Sequence, residues 1–202
     1  MAAAHQHFIP AAGQRWLLPF YDPLLSLLTR EKHWRGAIVD ALALKAGDVL
    51  VDVGAGTGTL AVMAKTRAPG AQVIGIDPDP DALALARKKA TGKDVDIRFE
   101  QGFGGDTPKI VGAARATKIV STFAFHHMSD AVQAETLRAM HEALAPGGSL
   151  HIADFTGGHF FHGTESGKLV ADMTSAGFVQ ARKINEFRTV FGRVTHVRGD
   201  KP

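Results

Sequence analysis

The sequence predicts an α/β domain: a seven-stranded, mostly parallel sheet between helices, ending in an antiparallel C-terminal hairpin. Three observations predict it. From Val49 onward, short β-branched runs alternate with stretches of helical periodicity, the pattern of repeated strand–helix units around a parallel sheet. The first run passes straight into three glycines at alternate positions and then into a helix, in VLVDVGAGTGTL. After Gly177 the helical pattern gives way to two alternating stretches, which suit a hairpin added to the edge of a parallel sheet.

The elements follow in order. Asp22-Pro23 reads as a helix N-cap followed by proline at the first helical position, and Leu24, Leu25, Leu27 and Leu28 give the next turns a wide apolar face. A second helix is expected from about Arg30 to Leu44, stopped by the turn Lys45-Ala46-Gly47-Asp48. The parallel strands are then expected at Val49–Val53, Gln72–Asp77, Val95–Glu100, Lys118–Ser121 and Ser149–Asp154. Between them come helices at Gly58–Arg67, Asp81–Thr91, a short one near Pro108–Ala114, and Asp130–Leu144. A helix at Glu165–Ala176 and strands at Phe178–Phe187 and Thr189–Arg198 complete the chain. We read residues 1–202 as one domain, with 1–44 a helical lid or docking segment and 45–202 the core, because 202 residues suffice for one sizeable core and are few for two.

Composition removes several classes of function. The chain has no cysteine, so disulfides, thiolate metal sites and cysteine nucleophiles are excluded. A hydrophobic content of 45% with 21% charged residues is that of a soluble globular protein. No apolar run approaches the roughly 20 residues of a membrane span, and Met1 to Pro10 lacks the basic and apolar regions of a signal peptide, so a cytoplasmic protein is expected. The net charge of +3 is too mild to imply a nucleic-acid partner. The final hairpin does carry Arg182, Lys183, Arg188, Arg193, Arg198 and Lys201, but a solvated strand face produces such a run, and only Phe178, Phe187 and Phe191 are at hand for base stacking.

Gly54, Gly56 and Gly58 lie where the missing Cβ permits positive φ and lets a ligand touch the main chain. A dinucleotide fingerprint would place its third glycine one position later, at Thr59, so a pyrophosphate ligand is disfavoured. Asp77 ends the second strand, where a doubly wound fold sets a carboxylate against ribose hydroxyls. Together the loop and the acid describe a nucleoside pocket.

With VDVGAGTG, Asp77, STFAFHHM and HEALAPGGSLHIADF in view, the sequence resembles the class I S-adenosylmethionine-dependent methyltransferases, and more loosely their ubiquinone and menaquinone biosynthesis branch. The resemblance implies a Rossmann-like three-layer sandwich and S-adenosyl-L-methionine as cofactor. It implies a cofactor site made of Asp52, Gly54, Ala55, Gly56 and Gly58 in the first motif and of Asp77 and Pro78 after the second strand. Gly102 and Phe103 after the third strand and Ser121 at the end of the fourth belong to it as well. Tyr21 would close over the methionine end, or serve as a staple for the N-terminal helix. Phe103 stands where the branch carries an acid for the adenine amino group, so either Phe103 packs on the adenine face or Asp106 reaches in from a rearranged loop.

A sulfonium methyl is already activated, so the enzyme mainly holds nucleophile and methyl about 3–3.5 Å apart. A carbon acid or phenol also gains from losing a proton, and histidine, with an ordinary pKa of about 6.5, suits that task. His126 and His127 follow the fourth strand on the ligand side and are the candidate catalytic residues, either of them; a helix cap at Ser129 is the plain alternative. His159 and His162, with Asp154 or Glu165, could hold a divalent ion, but the two histidines read as lid or solvent-facing residues before metal ligands, and no metal is expected. The expected function is methyl transfer to a small apolar or aromatic acceptor, quinone-like, phenolic or lipid-like. The rivals are a nucleic-acid methyltransferase on the same fold and a non-catalytic binder of the cofactor or of S-adenosylhomocysteine. Nothing in the sequence addresses oligomeric state.

Overall fold

The computed structural model describes residues 31–156, 166–189 and 192–202. Tyr21, His159 and His162 lie outside them. The described elements run α1 (Glu31–Leu42), β1 (Val49–Val53), α2 (Thr59–Arg67), β2 (Gln72–Asp77), α3 (Pro80–Thr91), β3 (Arg98–Gln101), α4 (Thr107–Val111), β4 (Ala116–Thr122), α5 (Asp130–Ala143), β5 (Leu144–Thr156), α6 (Ser166–Ser175), β6 (Val179–Thr189) and β7 (Gly192–Asp200). Short 3₁₀ turns cover Gly104–Asp106 and Phe125–His127.

All seven strands join one sheet in the order β3-β2-β1-β4-β5-β7-β6. The β3 to β5 pairings are parallel, and β7 pairs antiparallel with both β5 and β6, which is the expected mixed sheet. Alternation along β1 shows how the three layers arise. Leu50 packs with Trp34, Ile38 and Leu42 of α1, Leu60 of α2 and Leu83 of α3. Val51 and Val53 point the other way, toward Leu137 and Met140 of α5 and Leu169 and Met173 of α6. Burial on both faces is why the central strands read as continuous apolar runs. The strand order reverses between β1 and β4, and the carboxyl ends of the strands at such a reversal are where open α/β sheets take their ligands.

Several boundaries differ from expectation for local reasons. The third strand begins at Arg98 and not at Val95, because Asp94 takes a left-handed turn (φ 53°) and the Val95 N–H returns to the Ala90 carbonyl. α3 starts one residue early, since Asp79 caps it through Asp81 and Ala82 N–H, with Pro80 at its first position. The short helix covers Thr107–Val111 and stops at Gly112, φ 98°. Strand five begins at Leu144, where the expected helix was to end, because Leu144 is extended and pairs with Ala116 ahead of a register shift. The hairpin strands, expected at Phe178–Phe187 and Thr189–Arg198, run Val179–Thr189 and Gly192–Asp200. Among the described residues no helix is long and apolar enough to cross a membrane.

Under the sheet, β5 and β7 share a buried polar chain. Lys118 Nζ donates to Ser149 Oγ (3.2 Å), Ser149 Oγ lies 3.2 Å from His151 Nε2, and His151 Nδ1 lies 3.1 Å from His196 Nε2. Burial pushes both imidazoles down, His151 to about 2, helped by His196, Arg198 and Lys118, and His196 to about 4. Below pH 6.5 the unfolded chain takes up protons that the folded chain refuses, so stability falls with pH between about 6.5 and 4, by up to about 1.4 kcal/mol per pH unit for each ring. Urea midpoints over that window should fall more steeply for the wild type than for a His151→Gln/His196→Gln variant. Parallel curves would exclude the pair as the cause.

Candidate functional site

The loop after β1 is fastened to the end of β2. Gly54 and Ala55 N–H both donate to the Ile76 carbonyl (2.8 and 3.0 Å), and Gly56 N–H donates to Asp77 Oδ2 (2.7 Å). The other Asp77 oxygen accepts from Asp79 N–H (2.9 Å), so each carboxylate oxygen keeps one further acceptor site for a ligand. Gly54 is required twice over: its φ is 77°, and a Cβ there would stand 2.6 Å from the Ala124 Cβ. Gly56 is also left-handed (φ 53°), but a Cβ on it would meet nothing within 4 Å, so it borders open space. Gly58 leads into α2 and leaves room for Ala86.

Two buried acceptors at the ends of β1 and β4 have no hydrogen-bond partner among the described residues: Asp52 Oδ1 and Ser121 Oγ. Burial raises Asp52 from 3.8 to about 7, opposed by the nearby Arg35 charge and reinforced by Asp77. Asp77 is likewise raised by burial, although the Asp79 and Gly56 amides hold it back. Unsatisfied buried oxygens beside bare backbone suit a ligand rich in donors and carrying positive charge.

At the far wall, Gly102 N–H donates to the Asp77 carbonyl (3.2 Å), and Pro78 accepts from Gln101 Nε2 (3.1 Å). Asp106 turns back to cap the Phe103 amide (3.0 Å), while the Phe103 ring remains 39% exposed.

The histidine pair sits in the 3₁₀ turn after β4, anchored by buried Phe125 and by Gln133 of α5, whose Nε2 donates to the Phe125 carbonyl (2.9 Å). The two rings differ. His126 Nδ1 lies 2.6 Å from Asp154 Oδ1 and its backbone N–H donates to Asp154 Oδ2 (3.0 Å). His127 rests on His126, ring centroids 3.9 Å apart, and burial lowers its pKa, with His126 adding to the effect and Asp154 opposing it. His126 therefore faces a strand-end carboxylate and not the cap of α5.

Sequence reasoning missed the aromatic row beside them. Phe123 adopts φ 56°, stacks on Phe155 (4.4 Å, 8°) and meets Trp34 edge-on (4.8 Å), and Phe155 in turn meets His126 edge-on (5.7 Å). A left-handed phenylalanine costs roughly 1–3 kcal/mol and persists only where its surroundings impose it. The acid in HIADF, at the same edge of the sheet as Asp77, was the available signal for Asp154.

Residues 50–148 match the methyltransferase domain family. Two curated relatives are demethylmenaquinone methyltransferases. That of Thermus thermophilus is 38% identical over 141 residues, 69% of this chain and 62% of its own. That of Deinococcus radiodurans is 37% identical over 142 residues, 69% of this chain and 57% of its own. The chain thus spans somewhat over half the length of these relatives. The matched stretch and these two relatives support the class I S-adenosylmethionine-dependent methyltransferases as the family that this chain resembles. A Haemonchus contortus phosphoethanolamine N-methyltransferase, solved with S-adenosyl-L-methionine, shares the methyltransferase fold with a TM-score of 0.80 over 100% of this chain and 60% of that one, at 15% identity.

The matched region contains the glycine loop, Asp52, Asp77, Phe103, Ser121 and both histidines, but not Asp154 or Phe155. Asp52 gives the site a pH signature. Its folded pKa lies above its unfolded value, so it contributes stability that is full below pH 3.8 and is lost as pH rises to about 7. Denaturant midpoints of the ligand-free protein should show the wild type losing ground against Asp52→Asn across that range and running parallel above it. A constant difference at every pH would mean that Asp52 titrates normally.

Proposed function

We propose that this chain transfers the methyl group of S-adenosyl-L-methionine to a ring carbon of a small hydroxylated aromatic acceptor of hydroquinone type. The observation that carries the proposal is the meeting of the glycine loop and its two buried acids with an imidazole and a row of aromatic rings at one end of the sheet. The names of the Thermus and Deinococcus relatives support the acceptor class.

The residues fit the cofactor. Asp77 has one acceptor site left on each oxygen for the ribose hydroxyls, and Ser121 Oγ and Asp52 Oδ1 can receive donors from the methionine end. Arg35, whose charge reaches Asp52, suits the cofactor carboxylate. The Phe103 ring, exposed at the mouth with Asp106 committed to the backbone, suits an adenine face. The bound cofactor supplies an activated methyl; the chain supplies orientation, exclusion of water and a histidine to take the acceptor proton. The half-buried Phe123 ring, stacked on Phe155, favours a flat apolar acceptor over a charged amine. Residues 1–44 are read as a docking segment, since Trp34, Ile38 and Leu42 of α1 lie in the core, with Tyr21 closing over the cofactor, and the chain as one domain in the cytoplasm.

S-adenosyl-L-methionine and S-adenosylhomocysteine should raise the melting temperature, and nicotinamide dinucleotides should not. Asp77→Ala should weaken cofactor binding by about 1.5–3 kcal/mol, the scale of hydrogen bonds to a charged group, and calorimetry on the folded variant measures it. With methyl-labelled cofactor, prenylated naphthohydroquinones should become labelled while phosphoethanolamine and RNA do not. Label on RNA with steep salt dependence would favour a nucleic-acid enzyme, and a bound cofactor with no labelled product a non-catalytic binder.

A further inference from the structure

We propose that Asp154 is a positioning residue for methyl transfer: it fixes His126, and not His127, as the base that removes the acceptor proton, so the acceptor is one that must give up a proton to be methylated. This rests on the proposed methyl transfer and deepens it. Asp154 is almost wholly buried at the end of β5 and its carboxylate receives three donors. They are Phe155 N–H at 2.7 Å, His126 N–H at 3.0 Å and the His126 ring at 2.6 Å. Binding both the backbone and the ring of one residue holds the imidazole in position and in orientation. A carboxylate only accepts, so the ring nitrogen facing it carries the hydrogen, and the lone pair of the neutral ring is placed on Nε2. A carboxylate behind the ring also stabilises the imidazolium that forms when Nε2 takes a proton.

His127 is built differently: its ring meets the His126 ring tilted at 43°, its backbone N–H returns to the Ala124 carbonyl (3.2 Å), and no described carboxylate bonds to it. The pair thus divides into an oriented ring and a neighbour that crowds it. The step balances without another reactant. The acceptor carbon forms a bond to the methyl carbon as the sulfur–methyl bond breaks, and the bonding pair stays on sulfur as a neutral thioether. The proton displaced from the acceptor goes to His126 Nε2 and then to solvent. An acceptor that is already a free nucleophile has no use for this arrangement, whereas a hydroxylated ring does.

The test uses the full chain. In protein labelled with ¹⁵N-histidine, long-range ¹H–¹⁵N spectra should show neutral His126 as the Nδ1–H tautomer; the Nε2–H tautomer overturns the proposal whether or not an acceptor is known. In single turnover with a hydroquinone acceptor, Asp154→Asn should lower the rate by about 10²–10⁴-fold, with cofactor Kd and acceptor KM changed by less than about threefold. Added to His126→Gln, the same substitution should cost less than a further threefold or so, because it acts through a ring already removed. A full second loss in that background, or an unchanged rate for Asp154→Asn alone, refutes it. If Asp154→Asn does not fold, the tautomer spectrum decides. If the wild type labels no acceptor, methyl transfer fails as a function while the geometry of the pair is still judged by that spectrum.

Discussion

The feature on which the site depends is the tie between the loop after β1 and the end of β2. Three consecutive amides, Gly54, Ala55 and Gly56, are spent on Ile76 and Asp77. The loop is therefore an extension of the β1–β2 pairing. Because Gly56 draws on the Asp77 carboxylate, the acid is held in place before any ligand arrives. The same tie buries Asp52 beneath the loop, where its carboxyl is pushed up to about 7. Gly54 needs its missing Cβ: a methyl there would collide with Ala124, and with it the turn carrying the histidines would be displaced.

The second half of the site comes from β4 and β5, whose parallel pairing runs to Thr122 and Ala153. Past that register the backbone turns through Phe123, whose N–H still bonds to Ala153 while its φ is positive. The strain sets the ring flat on Phe155, and the following turn brings His126 onto Asp154. Two acids on the β1–β2 side and an acid–imidazole pair on the β5 side thus lie at the same, carboxyl, end of the sheet. The first pair suits a cationic nucleoside, the second a proton leaving an acceptor. One sheet edge serves both because the strand order reverses between them.

Much of this was legible in the sequence. Glycine spacing and the strand-end acid are local signals, each set by a few residues, and they located the loop, Asp77 and the parallel core. What escaped depends on contacts between distant residues. Strand five starts at Leu144 because Ala116, far earlier in the chain, is its partner. His126 and His127 are equivalent in sequence and become different only where Asp154 meets one of them, 28 positions away from it. Phe123 gives no warning of its conformation, since phenylalanine rarely takes a left-handed turn and nothing local demands it. The helix start at Asp79 was readable in principle from DPDPDAL, where two aspartates precede prolines and the choice between them needs the carboxylate geometry.

The central claim is that the cofactor binds across the β1 and β2 ends on the fastened glycine loop. Hydrogen–deuterium exchange with and without S-adenosyl-L-methionine tests it most directly. The account predicts slowed exchange of the amides in 54–59, 77–82 and 102–106, with weaker protection at 121–128 and none in the β6–β7 hairpin. Binding that protects the hairpin and leaves 54–59 and 77–82 unchanged would contradict it.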